Sequence, residues 1–421
     1  MRLGAKIEML MRIWLINPYG PIPGENWRDY RFTMLGEALS KAGHETIWWT
    51  SSFSHHFKTF RSKNWEDRKI NDLFSLRLVP TPGYKKNIGL GRIIRDAVFA
   101  WRTYRKGRRM AAPDLIFYGD SPLCFGYAGQ KLGAFHRVPV VFDQMDLWPE
   151  LFEPAFPGFL RPLAHHLLAP IYWSRRSVYA KLSGVVALAK AYLEVPLREA
   201  PELNGRPHGV FYNGIDVIGF RALMQAPVLA GNSWPSKGEG DVWAIFAGSL
   251  GPSYDIQAIL QSAEQLKTAV PQLKVLIAGD GPQRPDVEMA AAKTGSNVHY
   301  LGKLTPNDLC KIYNNCDIGL NAYSKISNVE MSDKFYDYTA AGLAIINSLQ
   351  GEVGIHVSNY NLGLQYEGGN VASLSHALST LATQTQQRLS MAQNSHDVAI
   401  KFDRYVQYNA LVDFLKQFDS K

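Results

Sequence analysis

Between residues 332 and 342 the chain reads SDKFYDYTAAG. Ser332 and Asp333 are both good caps for a helix that begins there. A helix N-terminus offers backbone N–H groups and the positive end of the helix dipole, which suits a diphosphate. Lys334 in the first turn adds a full charge and is expected to be partly exposed. A lysine there opposes the dipole, so a compensating anion explains it better than simple solvation. Asp337, three residues on and on the same helical face, brings a carboxylate beside it; complementing the dipole is its plainer alternative. Two glycine-containing turns could add to such a site. Gly248, Ser249 and Leu250 open a GSLG turn whose backbone N–H groups could approach a phosphate without a Cβ in the way, or which is merely tight. Asp280 and Gly281 in GDGP close a later strand at a carboxyl edge, where open α/β sheets bind ligands.

The elements around these residues read as two alternating strand–helix halves. In the first, Arg12–Asn17 is a short apolar run ending in the Pro/Gly-rich loop PYGPIPGEN, and a helix follows from about Arg28 to Lys41. Further strands are expected at HETIWWT, Leu115–Tyr118, Val138–Phe142, Gly184–Leu188 and Gly209–Tyr212, each short, apolar and bounded by turn residues. The second half restarts with Val242–Ala247, Leu273–Ala278, Val298–Leu301, Ile318–Asn321 and Ala344–Ile346. The pattern predicts two Rossmann-like, doubly wound α/β domains. Residues 1–215 form the first, 216–240 a linker, 241–395 the second, and 396–421 a closing helix that packs back toward the first. Neither half contains GxGxxG, which disfavours dehydrogenases.

At 421 residues with 46% hydrophobic and 19% charged side chains, both halves can bury a core, and global disorder is excluded. No window carries the roughly 18 uncharged apolar residues of a spanning helix. The first ten residues do not read as a signal peptide, and the fold is expected to start near Met11. Cys124, Cys310 and Cys316 lack CxxC spacing, in keeping with a reduced, cytoplasmic protein. The formal charge of +8 is uneven: residues 1–215 hold 30 Lys and Arg against 18 Asp and Glu, net +12, and the remainder is −4. Nine of those cations lie between Lys85 and Arg109, with Asp96 the one acid. On a helix, Ile94, Ala97, Val98, Trp101 and Tyr104 share one side, and Arg95, Arg102, Lys106 and Arg109 another. A basic amphipathic helix fits an anionic membrane surface; a solvated face is the alternative. Nucleic acid is a poor candidate partner, since no recognition motif accompanies the charge.

Several signatures occur in a fixed order: YNGID followed by Phe220, then FAGSLGPSYD, IAGDGP, NVHYLGKL, NNCDIGLNAY and SDKFYDYTAAGLAII, with DLWPE in the first half. Together they resemble the retaining glycosyltransferases of family 4, especially bacterial transferases that build O-antigens and exopolysaccharides. The resemblance runs from Asn17 to about Ser348 and is loose between residues 50 and 110. It implies a GT-B fold, two Rossmann-like domains facing a cleft, with a nucleotide sugar, UDP-type, held by the second. By that resemblance Lys334 meets the diphosphate, Asp337 accepts the ribose hydroxyls, and the backbone of Lys303 and Leu304 meets the base. Of the family's paired glutamates, Asp337 matches the second; the first falls on Val329, with Glu330 adjacent. The histidine often found after the strand Val138–Phe142 falls on Met145, which leaves Asp146 to steer the acceptor hydroxyl or simply to cap the DLWPE turn. Glu25 and Asn26, in a loop read as a mobile acceptor gate, and Asp120 and Ser121 complete the acceptor side.

The reaction so implied moves a sugar from a nucleoside diphosphate to a hydroxyl of a glycan or lipid-linked acceptor, with retention, in cell-surface polysaccharide synthesis. It would occur on the cytoplasmic face of a membrane. No DxD motif occurs, so no metal is expected, and no cofactor. The charge of the leaving group would be met by Lys334 and helix N-terminal amides. A sugar-phosphate epimerase, or a non-catalytic sugar-nucleotide-binding subunit of a glycan assembly complex, stays open beside this reading.

Overall fold

A computed structural model of the chain describes residues 11–25, 30–85, 89–119, 124–227, 234–325 and 327–419. The chain divides into unit 1, residues 1–213 with 407–421, and unit 2, residues 214–406.

The sheet of unit 1 contains β1 (Arg12–Ile16), β2 (Glu45–Ser51), β3 (Glu66–Lys69), β4 (Phe74–Val79), β5 (Leu115–Gly119), β6 (Val140–Gln144), β7 (Gly184–Ala187) and β8 (His208–Val210). Their order is β3-β4-β2-β1-β5-β6-β7-β8, parallel except for the edge strand β3. Alternate residues feed two cores. Trp14, Ile47, Trp49, Ile116, Val140 and Phe142 enter one, while Ile13, Leu15, Trp48, Leu115, Phe117 and Val141 enter the other. Burial on both faces is why these strands read as continuous apolar runs rather than alternating ones. Helices α1 (Arg31–Lys41), α2 (Leu90–Gly107), α3 (Cys124–His136), α4 (Ala164–Leu167), α5 (Ala169–Tyr179) and α6 (Lys190–Glu199) belong to this unit. β3 and β4 were not anticipated, because EDRK and FSLRLV mix charge into an edge pairing.

Unit 2 has β9 (Val242–Ala247), β10 (Leu273–Ala278), β11 (Val298–Gly302), β12 (Ile318–Asn321), β13 (Ala344–Asn347) and β14 (Gly363–Gln365), all parallel, in the order β11-β10-β9-β12-β13-β14. Its helices are α7 (Val217–Met224), α8 (Ile256–Leu266), α9 (Arg284–Ala291), α10 (Pro306–Tyr313), α11 (Asp333–Ala341), α12 (Glu352–Asn359), α13 (Val371–Thr383) and α14 (Thr385–Val398). α15 (Arg404–Leu415) passes from unit 2 into unit 1 at Gln407.

Two expectations about elements change. The stretch 216–240 is not linker throughout: Asp216 caps α7 by accepting from Gly219 N–H at 2.8 Å. The closing segment is not one helix. α14 ends at Val398, and Asp403 turns extended and caps α15, accepting from the N–H groups of Tyr405 and Val406 at 2.9 and 3.3 Å.

Candidate active site

In unit 2 the strand order reverses between β9 and β12, the place where open parallel sheets take ligands at their carboxyl ends. The turn after β9 is held by the turn after β10. Gly248 N–H donates to Ala278 O, Leu250 N–H to Asp280 O and Gln283 N–H to Leu250 O, each at 2.9 Å. The backbones touch so closely that only glycine fits. A Cβ on Gly279 would lie 1.8 Å from Gly248 O, and one on Gly281 2.7 Å from Leu250 O; both have φ near +150°.

Lys334 reaches this turn from α11. A Cβ on Gly248 would sit 2.8 Å from its Nζ. The ammonium lies over three rings, 3.9 Å from the centroid of Tyr254, 5.0 Å from Tyr323 and 5.1 Å from Phe246. The rings of Tyr254 and Tyr323 pack with centroids 4.8 Å apart, and burial raises the pKa of both. The expected exposure of Lys334 is therefore corrected: it is 7% exposed. Ring faces attract a cation most strongly where water is excluded, so they offset part of the conflict with the helix dipole that the sequence reading assigned to an anion alone.

A buried amide chain fixes the N-terminus of α11. Ser332 caps it, accepting from Phe335 N–H at 3.2 Å, and its hydroxyl donates to Asn321 Oδ1 at 2.8 Å. Asn321 donates to Asn347 Oδ1 at 2.6 Å, and Asn347 donates to Gln365 Oε1 at 2.8 Å. Asn321 and Asn347 end β12 and β13, so three strands position one helix start. Asp337 is buried further along α11, 3% exposed. Glu330 serves a different helix: its carboxylate accepts from Glu352 N–H at 2.9 Å, at the start of α12. Asp280 is exposed and accepts from Gly281 N–H at 2.9 Å. Ser249 is exposed and Leu250 buried. Lys303 and Leu304 line a recess of about 560 Å³ with Trp234, Tyr300 and Asp308.

In unit 1, Asp146 follows β6 and is exposed; its backbone carbonyl accepts from Gln144 Nε2. Glu25 is bound to Arg61 at both oxygens, 2.8 Å each, and accepts from Ile22 N–H at 3.0 Å. Burial alone would raise its pKa, but the Arg61 hydrogen bond and charge outweigh this and lower it. The described part of the presumed gate, Pro18–Glu25, is thus anchored rather than loose. Asn26, Asp120 and Ser121 lie outside the described residues.

α2 turns the reverse way from the expected amphipathic helix. Arg95, Phe99, Ala100, Thr103 and Gly107 face inward, while Ile93 (57%), Ile94 (56%) and Trp101 (55%) are exposed. Gly107 explains the close approach of that side, since a Cβ there would fall 2.9 Å from Leu132 and 3.1 Å from Trp14. Arg102 bonds Pro80 O at 2.7 Å, and Arg105, Lys106, Arg108 and Arg109 remain exposed. Among the described residues no helix is long and apolar enough to cross a membrane.

Two doubly wound sheets, parallel but for the edge strand β3, the second with a glycine turn and a buried lysine at its switch point, define the GT-B class of fold. Residues 242–384, about a third of the chain, match the family described as Glycosyl transferases group 1, so unit 2 carries a domain of that kind. No curated protein matches the sequence. Solved GT-B structures match over nearly the whole chain. A trehalose-6-phosphate structure from E. coli, bound with UDP-2-fluoro glucose, is 13% identical with TM-score 0.68, covering 96% of this chain and 99% of that one. WaaG, a glycosyltransferase involved in lipopolysaccharide biosynthesis, is 16% identical with TM-score 0.62, covering 97% and 100%. HepE from Anabaena in complex with UDP-glucose is 16% identical with TM-score 0.60, covering 97% and 99%. At these identities the likeness is one of fold.

The sequence reading missed the residues that surround Lys334. Phe246, Tyr254 and Tyr323 are ordinary aromatic positions in their own segments, and Asn321 and Asn347 look like strand ends. The order of strands, once known, is the signal that groups them.

Proposed function

We propose that the protein is a retaining glycosyltransferase that moves a sugar from a UDP-type donor to a hydroxyl of a lipid-linked glycan, in cell-surface polysaccharide biosynthesis. The observation that carries this reading is the buried ammonium of Lys334 against the Gly248 turn, on a helix whose start is capped by Ser332, in a domain of the glycosyl transferase group 1 kind. In the reaction, the departing diphosphate gains negative charge. Lys334 and the first amides of α11 are placed in advance to meet it, so little reorganisation is needed at the transition state. Asp337 takes the ribose, the backbone of Lys303 and Leu304 the base, and Gly248, Ser249 and Leu250 the phosphate. Glu330, beside the α12 start, is the candidate for the donor sugar. Asp146 is the acceptor-side carboxylate that orients the attacking hydroxyl. No metal is required in this scheme, because a lysine and helix amides supply the positive potential.

The donor-binding neighbours support the nucleotide, since two of them hold UDP-glucose or its fluoro analogue. The exposed apolar ridge of α2 beside Arg105, Lys106, Arg108 and Arg109 supports peripheral attachment to an anionic leaflet, taken here as the cytoplasmic one. The test is a screen of nucleotide sugars for release of nucleoside diphosphate, with and without membrane extract and with and without a chelator. Turnover that needs extract and ignores the chelator is expected. Nucleotide binding with no donor turned over under any condition would overturn the enzymatic reading, and turnover without any acceptor would point to epimerisation.

A further inference from the structure

Unit 1 carries a second concentration of charge that the reading above does not use. It gathers residues from four segments after β1, β2, β4 and β6, together with the first turns of α2. Arg95 is its floor, fully buried. Its Cζ lies 4.4 Å from the centroid of Tyr19 and 5.3 Å from that of Tyr84. Arg92 shares the Tyr19 ring at 4.8 Å and packs on Trp148 at 4.7 Å. Lys58 lies 4.5 Å over Tyr84. Three cations therefore crowd three aromatic rings, with Asp96 the one carboxylate among them, hydrogen-bonded to Tyr19 OH at 2.6 Å.

The hydrogen bonds leave donors unused. Arg95 Nη2 donates to Tyr84 OH at 3.1 Å and its Nη1 is in ion-pair contact with Asp96 Oδ1 at 3.2 Å, whereas its Nε makes no hydrogen bond among the described residues. A buried donor without an acceptor carries the full desolvation penalty of that group, larger when the group is charged. Trp148 Nε1 is in the same condition. Tyr84 OH in turn meets His55 Nδ1. Burial, and then the charges of Lys58, Arg92 and Arg95, depress the pKa of His55 to about 3, so its ring is neutral. With Nδ1 accepting from Tyr84, the proton resides on Nε2, a further donor. The α2 N-terminus has no acid in its first turn, and none of its caps is a side chain. Three cations thus share one carboxylate, Asp96, and one phenol, Tyr19, whose hydroxyl accepts from Arg92 Nε at 3.0 Å, so positive charge and donors are in excess.

We propose that Lys58, Arg92, Arg95 and His55 form a binding site for a phosphoryl group. Two guanidiniums, an ammonium and a neutral imidazole supply more donors than the two oxygens of a carboxylate can take, and they suit the three terminal oxygens of a phosphate. That this phosphoryl group belongs to the sugar acceptor rests on the glycosyltransferase reading; the site itself does not.

Calorimetric titration of the full chain with inorganic phosphate tests it, in wild type and in a Lys58→Ala/Arg92→Ala variant. Both replaced residues are half-exposed, so the variant should fold. Arg95→Gln, checked by its melting curve, is the second variant. Phosphate should bind the wild type and bind either variant at least about tenfold more weakly, the loss expected for charge-assisted hydrogen bonds. Absence of phosphate binding in the wild type, or equal binding in wild type and folded variants, would overturn the site. Acetate should bind in none of them; binding of acetate equal to that of phosphate would overturn the phosphoryl assignment. Glucose 6-phosphate and a water-soluble short-chain polyprenyl phosphate then separate the sources. Whichever gains more affinity over phosphate, and loses it in the variants, names a soluble or a lipid-borne ligand. UDP titrated into the same proteins keeps the two readings apart. A phosphate effect without UDP binding or donor turnover sinks the transferase reading alone, and normal turnover with no phosphate effect sinks this one alone.

Discussion

The ammonium of Lys334 sits 3.9 Å from the ring centre of Tyr254, with the rings of Tyr323 and Phe246 at 5.0 and 5.1 Å and the Gly248 turn beside it. The first prediction follows from that setting. Lys334→Ala should lose about 2–4 kcal/mol of transition-state stabilisation, roughly 30- to 1000-fold in kcat/KM. Because the side chain is buried, Lys334→Met is the needed companion, filling the space without the charge. Turnover measured by released diphosphate should fall alike in both, with the melting point of the Met variant near that of wild type. Activity retained in a folded Lys334→Met protein would remove the residue from the site.

Asp337 is buried on the same helix, so its two candidate roles can be separated. Asp337→Asn should weaken nucleoside diphosphate binding by about 1–3 kcal/mol with little change in melting temperature. Calorimetry on the variant decides it. Lost stability with undiminished affinity would make Asp337 a structural carboxylate.

The glycines of the two turns differ in what a methyl group would strike. At Gly279 it meets a backbone carbonyl at 1.8 Å, whereas at Gly248 it meets the flexible end of Lys334 at 2.8 Å. Gly279→Ala should therefore cost more stability, of the order of 3 kcal/mol or above, from strain at positive φ and collision together. Gly248→Ala should act first on nucleotide affinity. Urea melts and nucleotide titrations of the pair give the comparison, and the reverse ranking would contradict it.

Glu25 and Arg61 make a pH-dependent contribution to unit 1. The fold lowers the pKa of Glu25 below its ordinary 4.5, so the ionised form is the one stabilised. The contribution is complete above about pH 4.5 and is lost as pH falls through the lowered value. Glu25→Gln should thus melt below wild type at neutral pH, by about 1–3 kcal/mol of stability. The gap should narrow as the pH is taken below about 4. A constant gap across that range would mean the ion pair is not its cause.

For the membrane, Arg105→Glu, Arg108→Glu and Arg109→Glu together with Trp101→Ser are the informative changes. Arg95 and Arg102 should be left alone, since one is buried and the other bonded to Pro80. Each surface cation contributes about 1 kcal/mol near an anionic leaflet, an attraction that falls as the Debye length shrinks from about 10 Å at 0.1 M salt to about 3 Å at 1 M. Wild type should sediment with anionic vesicles and detach in high salt, and the variant should not sediment while still binding nucleotide. Equal sedimentation of the two would leave α2 a solvated face.

Five of the six strands of unit 2 were legible almost to the residue, because each is a short apolar run closed by Gly or Asn; β14, three residues reading GLQ, is too short and polar to show itself. The start of α11 was legible from Ser332. What surrounds Lys334 was not. Phe246 and Tyr254 share the segment FAGSLGPSYD but Tyr323 lies some seventy residues on, and no periodicity links rings in and after β9 to one after β12. The face of α2 was misjudged for a related reason. Periodicity put Arg95 outside, but the rings of Tyr19 and Tyr84 and the tight packing at Gly107 draw that side in, and contacts of this sort are made by tertiary structure alone.

The path of α15 has a consequence for how the protein comes into being. Tyr408, Leu411, Val412, Leu415 and Phe418 lie in the core that also holds Trp48 and Phe117. These residues leave the ribosome only after the whole of unit 2. At about 5–20 residues per second, translation keeps that core open for roughly 10–40 s after the rest of unit 1 has emerged. Unit 2, continuous from 214 to 406, has no such wait. The domain begun first is finished last, and in that interval its unfinished apolar face is where a nascent-chain chaperone would bind and where premature truncation would leave an aggregation-prone product.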